Sequence, residues 1–145
     1  MRLTPEALCH FPAWILVCST GALVVGCANN SKMAFVEALE EYNDGVRWGR
    51  GTEVAHYISG PQQAQFLARV EALRDLQITE CRVDRVSFSS ERSAQVLVSI
   101  DWYSLRTGRL EHTLMSQTWA KQGDRWRVSD QRWVRGATFP LFARR

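Results

Sequence analysis

The sequence is poor in the side chains that hold metals or carry out nucleophilic catalysis. It contains three histidines and four cysteines, with no Cys-x-x-Cys and no His-Glu-x-x-His pattern. Zinc sites need such ligands at set spacings, so we expect no metal and no other cofactor. A Gly-x-Ser-x-Gly turn is also missing, and the glycine-rich residues 45–51 lack the lysine and the spacing of a phosphate-binding loop. The sequence therefore carries no signature of a catalytic site.

The sequence has neither a strong charge bias nor a run long enough to span a membrane as a helix. Its formal net charge is +3 at pH 7, whereas nucleic-acid-binding domains carry a clustered basic excess, so no nucleic-acid partner is expected. The longest apolar stretch runs from Ala13 to Val25, shorter than the roughly 18 residues of a membrane-spanning helix. With Arg2 before it and the small residue Gly26 after it, this stretch has the pattern of a secretory signal.

The four residues Val24-Val25-Gly26-Cys27 follow at the end of the apolar stretch. They resemble the lipobox of bacterial lipoproteins, in which a small residue precedes a cysteine. The resemblance implies that residues 1–26 are a signal peptide, and that Cys27 receives a diacylglycerol on its sulfur and an acyl chain on its new amino group. Two chains suffice for stable anchoring, whereas one is marginal. The alternative is an ordinary signal peptide or a buried N-terminal helix with a chance cysteine.

The residues after the cysteine indicate where the anchored protein would reside. Ala28 stands where an aspartate would, in enterobacterial lipoproteins, favour the inner membrane. The same resemblance therefore implies the outer membrane, with the domain facing the periplasm. Residues 27–33 form a short lipidated polar tether whose six residues after the cysteine reach at most about 20 Å. After cleavage the other remaining cysteine is Cys81, which we interpret as a small buried hydrophobe.

Residues 34–145 are predicted to form one α+β domain whose first part is helical. Ser31 is expected to cap the first helix, and Pro61 to begin the third. The predicted inward-facing residues at helical spacing are Phe35, Leu39, Tyr42 and Val46 in the first helix, Val54, Tyr57 and Ile58 in the second, and Leu67, Val70 and Leu73 in the third, with Phe66 at the flank.

From Leu76 onward the apolar period changes from 3.6 to 2, which predicts four strands. The first runs from Thr79 to Phe88 with a bulge near Asp84, because apolar residues on its two sides have opposite parity. The strands are joined by turns at residues 89–92, 107–108 and 123–124. The predicted alternating or inward residues of the later strands are Val96, Val98, Ile100 and Trp102 in the second, residues from about Leu110 to Lys121 in the third, and Trp126 and Val128 in the fourth.

Helices followed by an antiparallel meander define an α+β fold class. This element order, with the segments Tyr42–Gly49, Val98–Tyr103 and Gly123–Val128, resembles the nuclear transport factor 2-like superfamily over residues 34 to 134. The resemblance implies a cone in which N-terminal helices pack on a curved four-stranded antiparallel sheet. Ketosteroid isomerases and some dehydratases share this fold and use acidic or aromatic residues that line the cavity. Their motif cannot be placed residue by residue on this sequence.

An open cone would have a pocket for an apolar or amphipathic ligand. Tyr42 and Tyr57 from the helices are expected to face Trp102, Gln117 and Trp119 from the sheet. A polar amide among aromatic rings is an arrangement that orients an otherwise apolar ligand. The alternative is that the tryptophans fill the core and Gln117 satisfies a buried backbone group.

Four charged residues of the strands, two aspartates and two arginines, are candidates for a functional role. Asp130 shares its parity with Trp126 and Val128 and is predicted inward, whereas Asp101 is predicted outward. A buried Asp130 with a raised pKa could act as a base, or it could pair with an arginine. Arg125 and Arg127 share an outward face, which suits either contact with anionic lipid or a solvated strand edge.

These patterns predict a membrane-anchored, non-enzymatic accessory protein of the bacterial envelope. Its partners would be the membrane, through the lipid, and either another envelope protein or a small apolar ligand. The alternative is an isomerase- or dehydratase-type enzyme that uses the cone cavity. The position of Asp130 distinguishes these hypotheses, because a carboxylate at the bottom of an open cavity favours an enzyme and a filled cone favours a scaffold.

Overall fold

The computed structural model of the protein describes residues 25–142, with side chains from residue 30 onward. Most of the expected signal peptide, the side chain of Cys27 and residues 143–145 lie outside this description. Within the described residues, no helix combines the length and the apolar character needed to cross a membrane.

Residues 25–142 form helices first and strands afterwards, as the periodicity predicts. The helices are α1 (Val25–Arg47), α2 (Gly51–Val54), which continues as a 3-10 turn at Ala55–Tyr57, and α3 (Pro61–Val70), which continues as a 3-10 turn at Glu71–Asp75. The strands are β1 (Leu76–Ser90), β2 (Ser93–Ser104), β3 (Leu110–Gln122) and β4 (Arg125–Gly136).

Helix α1 carries the predicted apolar stripe, but it begins earlier than expected. Phe35 and Tyr42 are completely buried against the sheet. Ser31 was expected to cap the helix, yet it lies inside α1, because the backbone is already helical from Val25. The part of the tether after Cys27 is therefore helical rather than extended. No glycine or proline interrupts residues 28–33, and the backbone oxygen of Ser31 accepts a hydrogen bond from Nε1 of Trp126 at 3.1 Å.

The four strands form one antiparallel sheet in sequence order. The predicted bulge in β1 is confirmed: the register shifts between Val83 and Arg85, so that Asp84 has no partner residue on β2. This extra residue brings Val83 and Val86 to the same face, opposite Val98 and Val96 respectively. The bulge thus reconciles the two apolar parities of β1.

The helices and the C-terminal segment cover one face of the sheet. The inward residues of β2, from Ala94 to Trp102, are buried, as are Phe139 and Phe142 at the end of the described chain. One detail of α3 differs from the prediction: Phe66 is buried and Leu67 is 42% exposed, because Phe66 packs near Tyr42 at a ring distance of 6.3 Å. Every described core residue lies at or beyond Phe35, so the chain after Cys27 contains the complete described core.

Candidate functional site

Three of the six residues expected to line a pocket form a closed cluster at the centre of the domain: Tyr42, Gln117 and Trp119. Tyr42 and Trp119 are 0% exposed, and Gln117 is 1% exposed. Nε2 of Gln117 donates a hydrogen bond to Oδ1 of Asn43 at 2.9 Å, and Oε1 of Gln117 accepts one from Nε1 of Trp119 at 3.0 Å. Both ends of the Gln117 amide are therefore occupied by side chains of the protein itself.

Aromatic rings fill the space around this amide. The Trp119 ring packs edge-on against Tyr42 at 5.7 Å and lies 6.3 Å from the ring of Tyr57. Trp102 lies elsewhere in the core, where Nε1 donates to Oγ1 of Thr113 at 3.0 Å and the ring packs against Phe139. The structure thus brings four of the predicted residues together and leaves Trp102 apart. Side chains therefore fill the cone at the level of these four residues.

The hydroxyl of Tyr42 is held by a residue that the sequence pattern did not single out. Nε2 of Gln131 on β4 donates a hydrogen bond to this oxygen. Burial raises the pKa of Tyr42 well above its ordinary value, although the hydrogen bond from Gln131 opposes the rise. Tyr42 is therefore a neutral phenol at physiological pH. Among the described residues, the buried Nδ2 of Asn43 has no hydrogen-bond partner.

Asp130 does not take the inward position that its parity predicted. The register of β3 and β4 shifts from Trp119 opposite Val128 to Thr118 opposite Asp130, so Ser129 is an extra residue. The bulge reverses the alternation beyond it, and the carboxylate of Asp130 pairs with Arg132. Sequence alternation carried no signal for this bulge. Asp101, predicted outward, is 37% exposed in its side chain and lies 2.6 Å from Nδ1 of His112.

A small cleft lies between α3, β4 and the C-terminal segment. Its volume is about 70 Å³, far below the range of about 300–1,000 Å³ that is typical of ligand pockets. Of the six predicted pocket residues, Asp130 borders this cleft. Its lining combines apolar residues with polar ones: Ile58, Phe66, Val128, Leu141 and Phe142 with Gln62, Gln65, Arg69, Asp130 and Gln131.

A second, larger cleft of about 270 Å³ lies between α1, the 3-10 turn before α3 and β4. Here Tyr57 donates a hydrogen bond to Oε2 of Glu41 at 2.6 Å, and the His56 ring lies 4.1 Å from the Tyr57 ring. Burial and the hydrogen bond to Glu41 raise the pKa of Tyr57 to about 12. Arg125 and Arg127 also line the cleft. It is a surface cleft lined by both charged and apolar side chains.

We looked for side chains that could hold a metal ion in the part of the chain that the structure describes. Within residues 25–142, no group of three or more His, Cys, Asp or Glu side chains is arranged to hold a metal ion. Burial raises the pKa of Cys81 to about 12, so its thiol is protonated at neutral pH and is a poor ligand.

Comparison with known proteins finds solved structures with a similar fold, but no related sequence. No protein-family model matches the sequence, and no curated protein matches it either. Among solved structures, a domain of unknown function with a cystatin-like fold from Nostoc punctiforme is 19% identical, with a TM-score of 0.57, over 75% of this chain and 79% of its own. A candidate scytalone dehydratase from Novosphingobium aromaticivorans is 13% identical, with a TM-score of 0.56, over 77% of this chain and 90% of its own.

These likenesses establish the fold that the sequence predicted. The chain has an α+β fold in which helices precede a four-stranded antiparallel sheet, and its structural neighbours have the cone fold of the nuclear transport factor 2-like type. At such low identity the likeness carries no residue roles, because unrelated functions share this fold.

Proposed function

We propose that this protein is a lipid-anchored, non-enzymatic accessory protein of the bacterial cell envelope, held in the outer membrane and facing the periplasm. Its cone-fold domain serves as a scaffold that contacts another envelope protein. The observation that carries the scaffold part is the closed amide cluster of Gln117, Asn43 and Trp119.

The closed cluster supports a scaffold because the side chains expected to line a cavity are themselves buried against one another. Catalysis in such a cavity needs an acid or base that faces the substrate within hydrogen-bond reach. Here Tyr42 is fully buried, and Asp130 is engaged by Arg132. Among the described residues, the interior therefore offers close packing and a hydrogen-bonded amide rather than a vacant acid or base, although Nδ2 of Asn43 has no partner.

The anchoring part of the proposal is supported by the sequence. The apolar stretch from Ala13 to Val25 leads directly to Gly26-Cys27, the arrangement that resembles a lipobox. Since helix α1 includes Cys27, a lipid on that residue would be joined to the domain by a helical segment. The domain would then stay close to the bilayer.

A protein partner fits the cleft beside Phe66 better than a free ligand does. A cavity of about 70 Å³ has room for little more than one side chain, whereas ligand pockets are several times larger. Its polar neighbours Gln62, Gln65 and Arg69 could bond to the main chain of a partner. We therefore propose this cleft as the contact surface for another envelope protein.

An isomerase- or dehydratase-type enzyme is the alternative function. It is favoured by the likeness to a candidate scytalone dehydratase and by the pair of Glu41 and Tyr57, which borders the cleft of about 270 Å³. Proton transfer at that cleft would use Glu41 as the base. Loss of a measured turnover in a Glu41→Gln variant that still folds would favour this alternative over the scaffold.

Tryptophan fluorescence of residues 28–145, titrated with dodecanoate and with a steroid, tests whether the interior is closed. We expect no saturable change, because Trp119 and Gln117 are already enclosed. Saturable quenching that disappears in Gln117→Leu, but persists in a Gln122→Leu variant of the exposed end of the same strand, would establish an open ligand pocket and contradict the scaffold.

Photo-crosslinking in the native envelope tests the partner. A photoreactive residue at Gln65, beside the small cleft, should give one discrete protein adduct. The same residue at Gln95, on the exposed outer face of β2, is the matched control and should not give that adduct. Equal crosslinking from both positions would contradict a contact at the cleft.

A further inference from the structure

Helix α1 packs on the sheet, and the contacts of its first turns show which edge of the sheet they lie beside. Nζ of Lys121 donates to Oγ of Ser31 at 3.3 Å, and the ammonium of Lys32 lies 5.7 Å from the centre of the Phe88 ring. At the other end of the helix, the guanidinium of Arg47 donates to the backbone oxygen of Thr79 at 3.2 Å. The N-terminal part of α1 is therefore beside the end of β1 and the end of β3.

These strand ends belong to two turns on the same side of the meander. The β1–β2 turn spans residues 90–93 and the β3–β4 turn spans residues 122–125. Because neighbouring strands are antiparallel, the β2–β3 turn, at residues 104–110, lies at the opposite end of the sheet. We call the side with the first two turns the hairpin end, and the side with the third turn the far end.

The chain that precedes the domain leaves at the hairpin end. Cys27 is four residues before Ser31 in the same helix, so its backbone lies about 6 Å along the helix axis from Ser31, at roughly 1.5 Å per residue. The apolar stretch from Ala13 ends at Val25, the first residue of α1. Attachment to a membrane through this segment would bring the hairpin end to the bilayer surface.

The charge and the exposed apolar surface of the hairpin end suit an anionic surface. Lys32, Arg92 and Arg125 are exposed and Lys121 is half-buried, against the acidic Glu91 and Asp124 of the turns and Glu37 of α1, which borders the same cleft as Arg125. One guanidinium nitrogen of Arg92 also donates to the backbone oxygen of Lys121 at 3.2 Å. Phe88, beneath Lys32, is 42% exposed. Basic side chains within about 8–10 Å of anionic headgroups are attracted to them with little screening by salt.

We propose that the hairpin end is the membrane-contacting surface of the domain and binds anionic phospholipid headgroups through Lys32, Arg92 and Arg125. The proposal rests on the proposed anchoring at Cys27 and adds a defined orientation to it. Each basic residue near such a surface strengthens the association by about fivefold. The cleft beside Phe66 would remain accessible to a partner in this orientation.

The far end provides a matched control. It carries Arg106 and Arg109, and Nε of Arg109 is already paired with Glu111 at 2.9 Å. Strand β2 is 12 residues long, so at roughly 3.3 Å per residue the two ends are about 35–40 Å apart. This distance exceeds the screening length several times, so the far end would not contact the membrane that holds the hairpin end.

Hydrogen–deuterium exchange on vesicles tests the orientation. The chain from Cys27 onward is coupled through that cysteine to a maleimide lipid, in vesicles of phosphatidylcholine with or without phosphatidylglycerol. A Cys81→Ser substitution in every protein used leaves Cys27 as the single thiol for the coupling. We expect slower exchange of residues 90–93 and 122–125 when phosphatidylglycerol is present, and no change at residues 105–109.

A double charge reversal, Lys32→Glu with Arg92→Glu, should abolish that slowing, whereas Arg106→Glu with Arg109→Glu should leave it unchanged. Unaltered exchange in the core strands would verify that both variants are folded. Exchange at the hairpin end that is the same in both lipids, or slowing at the far end instead, would overturn the proposal. Because the coupling is chemical, this result is independent of whether Cys27 is lipidated in cells.

Discussion

One buried hydrogen bond between Gln117 and Asn43 joins strand β3 to helix α1. The donor Nε2 of Gln117 and the acceptor Oδ1 of Asn43 are 2.9 Å apart and belong to residues 74 positions apart in the chain. The same Gln117 amide accepts the indole N–H of Trp119. This bond network closes the centre of the domain and links α1 to β3.

Gln117→Leu should lower the free energy of unfolding by about 1–3 kcal/mol, because it leaves the indole N–H of Trp119 and the oxygen of Asn43 buried without partners. A double-mutant cycle with Asn43→Leu measures the link directly by denaturant melts. Since both residues share one bond, we expect a coupling energy of about 0.5–3 kcal/mol. Additive losses would mean that the bond contributes nothing to stability.

Alanine substitutions in strand β2 test which of its residues face the core. Ile100 is 1% exposed, so Ile100→Ala should cost about 2–5 kcal/mol in denaturant melts. Gln95→Ala, at an exposed position of the same strand, should cost less than about 0.5 kcal/mol. Ser99 would be a poor control although it faces outward, because it is 6% exposed and its hydroxyl donates to Asp84. Equal losses at Ile100 and Gln95 would contradict the strand orientation.

Asp84 predicts a specific dependence of stability on pH. The hydrogen bond from Ser99, and then the one from Arg82, hold the pKa of this carboxyl below its ordinary value. The unfolded chain therefore binds the proton more tightly than the folded one. The stability that Asp84 provides is complete above the ordinary value of about 3.9 and is lost as the pH falls through the lower folded pKa.

Urea melts of the wild type and of Asp84→Asn, measured from pH 7 down to the acid range, would show this behaviour. The variant should be less stable at pH 7, and the difference should shrink as the pH falls below about 4. Asp124→Asn, in the exposed β3–β4 turn, is the control that should change little at either pH. A difference between wild type and Asp84→Asn that stays constant with pH would refute the assigned role.

The α+β class and the order of the elements could be predicted because they depend on local periodicity. The stripe of Phe35, Leu39 and Tyr42 repeats at helical spacing, and the residues from Val96 to Trp102 alternate strictly. Even the bulge at Asp84 was predictable, because the apolar residues on its two sides conflict in parity. Such patterns record which side chains share one face of an element, although Val83, Val86 and Phe88 on that face of β1 remain about 40% exposed.

The candidate site could not be predicted to the same extent, because it depends on contacts between distant residues. The bulge at Ser129 has no apolar conflict to reveal it, so the alternation of β4 does not predict the register of Asp130 and Gln131. Tyr42, Gln117 and Trp119 are neighbours in the core. Whether such neighbours enclose a cavity or fill it depends on side-chain volumes across the whole core, which the alternation of a strand does not encode.

Incorporation of labelled palmitate into the full chain in a bacterial host tests the central claim most directly. The sulfur of Cys27 is the proposed acceptor, so the wild type should incorporate the label and remain with the outer membrane. Cys27→Ser should incorporate none and be released or mislocalised, while Cys81→Ser, which changes the other cysteine of the mature chain, should be labelled as the wild type is. A Cys27→Ser protein that is labelled as strongly as the wild type would contradict the account.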